Sequence, residues 1–182
     1  IWDKTFGGSE YDILSSVKQT FDGGYVIAGH TDSNDGDISD GNNGGTDYWI
    51  LKLDAFGNKV WDKTLGGTGS DRPSSIQQTS DGGFIIAGYS NSNDGDISDG
   101  NNGGTDYWIL KLDPFGNKVW DKSYGGSNND AAASIQKTSD GGYVIAGYTY
   151  SNDGDISDEN NGDSDYWILK LDSFGEKVWD KT

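Results

Sequence analysis

Three stretches of this sequence gather carboxylates at a spacing that suits a hard cation. The first reads Ser33-Asn34-Asp35-Gly36-Asp37-Ile38-Ser39-Asp40, with Asp47 further on. The same acids recur as Asp94, Asp96, Asp99 and Asp106, and again as Asp153, Asp155, Asp158 and Asp165. A hard cation such as Ca²⁺ takes about six to eight oxygen ligands at about 2.3–2.6 Å. Oxygens at i, i+2 and i+5 around a glycine can wrap one ion, and Asp47, Asp106 and Asp165 would close the three sites. Each loop spans about 17 residues, long for a connection without structure of its own. Four carboxylates crowded into it repel one another, and a divalent ion would neutralise them and fasten the loop. The plainer reading is a solvated Asp/Asn/Gly loop stiffened by side-chain-to-backbone bonds.

Other candidate chemistry is thinner. Asp22, Asp81 and Asp140 stand in Asp-Gly-Gly turns, where an Asx-type bond to a backbone N–H is the expected role. Trp49, Trp108 and Trp167 lie mid-strand, and Trp2, Trp61, Trp120 and Trp179 lie at the end of a hairpin. These rings could stack on sugars, but fixed strand positions favour packing between layers. Lys4, Lys63, Lys122 and Lys181 each follow Trp-Asp, so solvated or cross-strand pairs of small value are expected. His30 is the only histidine and reads as a surface residue. With no Cys, one His and no Gly-x-Ser-x-Gly, nucleophilic catalysis has no support. Catalytic residues and an organic cofactor are therefore expected to be absent, and the chain reads as not an enzyme.

Composition narrows the class. Thirty acidic residues against 13 basic ones give a formal charge of −17, which repels nucleic-acid phosphates and anionic lipid. No apolar run reaches the roughly 18 residues of a membrane helix. Seven Trp, ten Tyr and six Phe carry enough apolar area to argue against disorder. The acid is almost all Asp, 27 against three Glu, and it comes with 29 Gly. Asp and Gly favour turns over helices, so the expected class is all-β.

Repetition positions these residues. Trp2, Trp61, Trp120 and Trp179 lie 59 residues apart. The repeats run 2–60, 61–119 and 120–178, and 179–182 starts a fourth. The first two copies agree at 44 of 59 positions, too many for chance, and Ser33–Asp54 is identical to Ser92–Asp113. Each copy shows two hairpin signals. One turns at Asp81-Gly82-Gly83, the other at Asp113-Pro114-Phe115-Gly116. In Tyr107–Leu112, apolar groups point to both faces, as in a sheet packed between neighbours. Four short strands per repeat match one propeller blade. The segments Ser9–Leu14, Thr68–Pro73 and Ser127–Ala132 differ between copies, except at Asp12, Asp71 and Asp130.

These motifs carry a resemblance. Thr79-x-Asp81-x-Gly83 looks like an Asp-box, and Leu112–Trp120 resembles the tryptophan-docking turn of quinoprotein-type propellers. The whole unit is similar to tandem repeats in large secreted and surface proteins of Bacteroidota, many of which look like cargo of type IX secretion. The resemblance implies propeller-like blades, one four-stranded antiparallel sheet per repeat, and an extracellular location. Three blades are too few for a closed ring, so the chain reads as a partial ring, an excerpt of a longer array, or a ring completed by another chain. The expected function is a non-enzymatic structural or adhesive module of a cell-surface appendage or adhesin, stabilised by Ca²⁺. Its expected partners are other copies of itself or the rest of a longer chain, with surface glycans or proteins as further partners. The alternative is a secreted lectin-like propeller with one weak sugar site per blade.

Overall fold

The computed structural model describes residues Ile1–Thr182. It contains twelve strands and no helix, as the turn-rich composition requires. Strands β1 (Asp12–Gln19), β2 (Tyr25–Thr31), β3 (Asp47–Leu53) and β4 (Lys59–Leu65) form one antiparallel sheet in chain order. Strands β5 (Asp71–Gln78), β6 (Phe84–Ser90), β7 (Asp106–Leu112) and β8 (Lys118–Tyr124) form the second. Strands β9 (Asp130–Lys137), β10 (Tyr143–Thr149), β11 (Asp165–Leu171) and β12 (Lys177–Lys181) form the third. The sheets begin at Asp12, Asp71 and Asp130, so the periods 61–119 and 120–178 each straddle two of them. No strand pairs one sheet to the next in a closed circuit.

Both hairpin signals form the turns expected of them. Thr79 N–H bonds Gly83 C=O at 2.9 Å across the first turn, and Asp113 N–H bonds Asn117 C=O at 2.9 Å across the second. Gly82 and Gly116 take φ of 85° and 84°, the left-handed region that glycine enters without a Cβ penalty. The acidic loop joins the two hairpins, so β6 and β7 are the paired central strands of their sheet.

The core lies between sheets. Every residue of β7 is buried. Tyr48, Ile50 and Leu65 of the first sheet meet Ile76, Phe84, Trp108 and Leu110 of the second in one cluster. Tyr107, Ile109 and Tyr124 of the second meet Ile135, Tyr143, Trp167 and Leu169 of the third in another. The same pair closes each junction. Tyr48 Oη donates to Trp108 C=O at 3.2 Å with ring centroids 4.5 Å apart, and Tyr107 Oη donates to Trp167 C=O at 3.1 Å with centroids 4.6 Å apart. Each ring buries a large apolar area while its hydroxyl keeps a partner.

A second aromatic link crosses at the outer edge. Trp61 of β4 lies over Gly116 in the next sheet's turn and donates Nε1–H to Pro114 C=O at 3.3 Å. Trp120 lies over Gly175, and Trp2 over Gly57, in the same way. At the other edge β5 packs against β1 and β9 against β5, so the first strands of the three sheets stand side by side.

Trp108 is 0% exposed, whereas Phe115 in the turn is 74% exposed. Trp108→Ala is expected to lower unfolding stability by about 3–5 kcal/mol in a denaturant titration, while Phe115→Ala stays within about 0.5 kcal/mol of the parent.

Candidate functional site

The acids of each loop separate toward different partners. The first two of each loop reach back to the Gly-Gly segment that enters their own sheet. Asp94 Oδ1 accepts from Thr68 N–H at 2.8 Å, and Asp96 Oδ2 accepts from Gly66 N–H at 3.2 Å. Asp35 and Asp37 do the same for Ser9 and Gly7, and Asp153 and Asp155 for Ser127 and Gly125. The glycine between the two acids is required by this contact. Gly95 has φ of 65°, and a Cβ on it would stand 2.2 Å from Gly66 C=O. The hydrogen bond from Thr68 N–H holds the Asp94 carboxyl below the usual carboxylate range, and Ser127 N–H does so for Asp153.

The third acid of each loop faces a lysine. Asp40 pairs with Lys63 at 2.9 Å, Asp99 with Lys122 at 3.9 Å and Asp158 with Lys181 at 3.0 Å. Lys63 and Lys181 thus bond loop acids rather than their neighbouring aspartates, Lys122 lies nearer Glu176 at 3.0 Å, and Lys4 donates to Asn58. Of the neighbouring aspartates, Asp62, Asp121 and Asp180 are buried. Asp121 accepts Ser98 N–H at 2.8 Å, Ser98 Oγ–H at 2.6 Å and Trp108 Nε1–H at 3.1 Å, and pairs with Lys118 at 3.1 Å. Asp62 and Asp180 repeat the arrangement with Trp49 and Trp167. Burial raises these three carboxyls, but the hydrogen bonds outweigh it and hold all three below the usual range. This latch ties the acidic loop to the last strand and to the mid-strand tryptophan.

The fourth acid sits at a junction. Asp47 and Asp106 are 0% and 1% exposed. Asp47 Oδ2 accepts from Asn43 N–H at 2.5 Å, and Asp106 Oδ2 from Asn102 N–H at 2.6 Å. Across the junction, Asp71 N–H bonds Thr46 C=O and Asp130 N–H bonds Thr105 C=O, both at 2.6 Å. These bonds bring Asp71 to Asp47 and Asp130 to Asp106. Burial, then the neighbouring Asp71 and Asp96 charges, push Asp47 up to about 6 against the pull of Asn43 N–H. Burial and the Asp130 and Asp155 charges push Asp106 to about 6 likewise. Asp165 accepts from Asn161 N–H at 2.6 Å and is only half-buried.

The twelve acids read as calcium ligands are therefore not gathered loop by loop. As the side chains lie, no group of three or more His, Cys, Asp or Glu could hold a metal ion. The structure instead pairs one acid of each of the first two loops with Asp71 or Asp130 from the following sheet. Spacing along the chain does not single out Asp71 and Asp130, although a signal exists in the sequence. Asp12, Asp71 and Asp130 are the constant residues of an otherwise divergent stretch.

The remaining candidates are structural. Asp22, Asp81 and Asp140 accept the turn N–H of Gly24, Gly83 and Gly142. Each also pairs with a largely buried lysine, Lys52, Lys111 or Lys170. Burial raises Asp81, but Thr79, Lys111 and Gly83 outweigh it and bring it to about 2. His30, read as a surface residue, is 9% exposed in β2, and burial lowers its pKa. The pairing of β2 with both β1 and β3 encloses it. Trp108 and Trp167 are fully buried and Trp49 is 7% exposed, so these mid-strand rings have no free face for a sugar, whereas Trp2 and Trp179 at the hairpin ends are exposed. No protein-family model and no curated protein matches this chain.

The latch aspartates have folded pKa values below their unfolded ones. Their stabilisation is thus present above the ordinary carboxylate range and lost as pH falls through it. Asp121→Asn leaves Trp108, Ser98 and Lys118 facing a neutral amide. It is expected to cost about 2–3 kcal/mol at pH 7, with the gap to the parent closing as pH falls to about 2. Thermal melts of both proteins across this range check it.

Proposed function

We propose that this chain is a non-enzymatic structural module of an extracellular protein, built from propeller-like blades and related to the tandem repeats of Bacteroidota surface proteins. The observation that carries the reading is the duplicated junction. The Tyr48–Trp108 and Tyr107–Trp167 contacts use the same atoms at nearly the same distances. Many of the residues that stay alike between copies, such as Tyr48 and Tyr107, Asp62 and Asp121, and Gly82 and Gly141, belong to that junction, to the latch or to the turns. A site that evolved for one reaction would be expected to break this symmetry in one copy. Here repetition itself is the product, and a stack of identical blades suits a spacer or stalk on a cell surface. The strong negative charge keeps such a stack soluble and away from anionic surfaces.

Stability in such an array is the sum of a repeat term and a nearest-neighbour term. Chains of two, three and four repeats are therefore expected to unfold cooperatively, with melting temperature rising at each addition. Melting temperatures independent of repeat number would contradict the reading. So would hydrolysis of a polysaccharide panel, or saturable binding on a glycan array, which would favour the lectin-like alternative.

A further inference from the structure

We propose that each junction between sheets is a calcium site, held by an aspartate pair that spans two repeats: Asp47 with Asp71, and Asp106 with Asp130. The inference goes beyond the structural reading above and relocates the ion from the interior of a loop to the interface it faces.

Four observations lead there. First, the carboxyls are enclosed: Asp47, Asp71 and Asp130 are 0% exposed and Asp106 is 1% exposed. Second, Oδ1 of all four is buried without a hydrogen-bond partner. A buried polar atom in that state costs about 1–3 kcal/mol, and more when charged. Third, the orphaned Oδ1 of Asp47 and of Asp106 points into a space that the hydrogen-bonded Oδ2 of Asp71 or Asp130 also lines. The position a Cβ would take on Gly66 lies 2.1 Å from Asp47 Oδ1 and 2.6 Å from Asp71 Oδ2. On Gly125 it lies 2.2 Å from Asp106 Oδ1 and 2.8 Å from Asp130 Oδ2. Only glycine leaves that room, and both junctions have it. Fourth, none of the four forms an ion pair with Lys or Arg, although every lysine near the loops is paired with another acid.

Charge decides the ligand. Asp96 stands on Gly66 N–H, and Asp155 on Gly125 N–H, so each junction faces a third carboxylate. A single shared proton leaves two negative charges in a buried place, whereas a divalent ion leaves one. All the donors are hard oxygens, which selects Ca²⁺ over transition metals. Water and backbone oxygens at the junction complete its shell. An ion there ties Asp47 of one sheet to Asp71 of the next, so binding fastens neighbouring repeats together.

The count distinguishes this site from an intra-loop one. Calorimetric titration of chelator-stripped protein with CaCl₂ at pH 7.5 is expected to give two ions per chain, one for each junction, with a rise in melting temperature. Asp71→Asn and Asp130→Asn each remove one ion. Asp40→Asn with Asp99→Asn, which touches only lysine-paired loop acids, removes none. Two outcomes overturn the proposal. One is the absence of heat and of any melting shift at millimolar calcium. The other is three ions per chain whose binding is lost with Asp40, Asp99 and Asp158. Neither outcome alters the repeat-number series, which tests the structural reading by itself.

Discussion

A four-stranded sheet that carries apolar groups on both faces cannot stand alone in water. Trp108, Leu110 and Leu112 leave one side of β7, and Tyr107 and Ile109 leave the other. Burying both requires a neighbour on each side, and a tandem repeat supplies one by construction. Every other feature follows from that contact. The first strands stand edge to edge, the outer tryptophans lie over the next sheet's turn, and the two cores lie between layers rather than within them. At roughly 25 cal/mol per Å² of apolar surface, a buried Tyr–Trp pair at each junction outweighs any surface ion pair in the molecule.

The carboxylates answer to the same constraint. A long loop between the hairpins has backbone amides to satisfy and no sheet to satisfy them. Asp94 and Asp96 turn inward onto Thr68 and Gly66, and Asp121 gathers Ser98 and the buried Trp108 indole. The acidity that looks like a solvated surface in the sequence is in large part an internal set of hydrogen-bond acceptors. Its cost collects at Asp47 and Asp106, where burial and a second carboxylate across the junction raise the carboxyl.

Much of the fold was legible. The 59-residue period, the Asp-Gly-Gly and Pro-Phe-Gly turns and the two-faced Tyr107–Leu112 strand each follow from local rules and are present as expected. The site was legible only in its residue types. Spacing along the chain grouped Asp35, Asp37, Asp40 and Asp47, but a loop that doubles back separates neighbours in sequence and joins residues such as Asp96 and Gly66, 30 apart. The latch role of Asp62, Asp121 and Asp180 was hidden because each sits beside a lysine that points elsewhere. Which aspartate crosses a junction depends on how the sheets stack, and a period of 59 residues does not carry that phase.

If contact between sheets holds the molecule together, protection should be highest where a sheet has a neighbour on both faces. Native-state hydrogen exchange measures this amide by amide. The account predicts that the β6 and β7 amides exchange slowest, at the rate of global unfolding, and that the corresponding amides of the first and third sheets exchange faster on their outward sides. Equal protection in all three sheets would show that each is stable by itself, and would contradict the account.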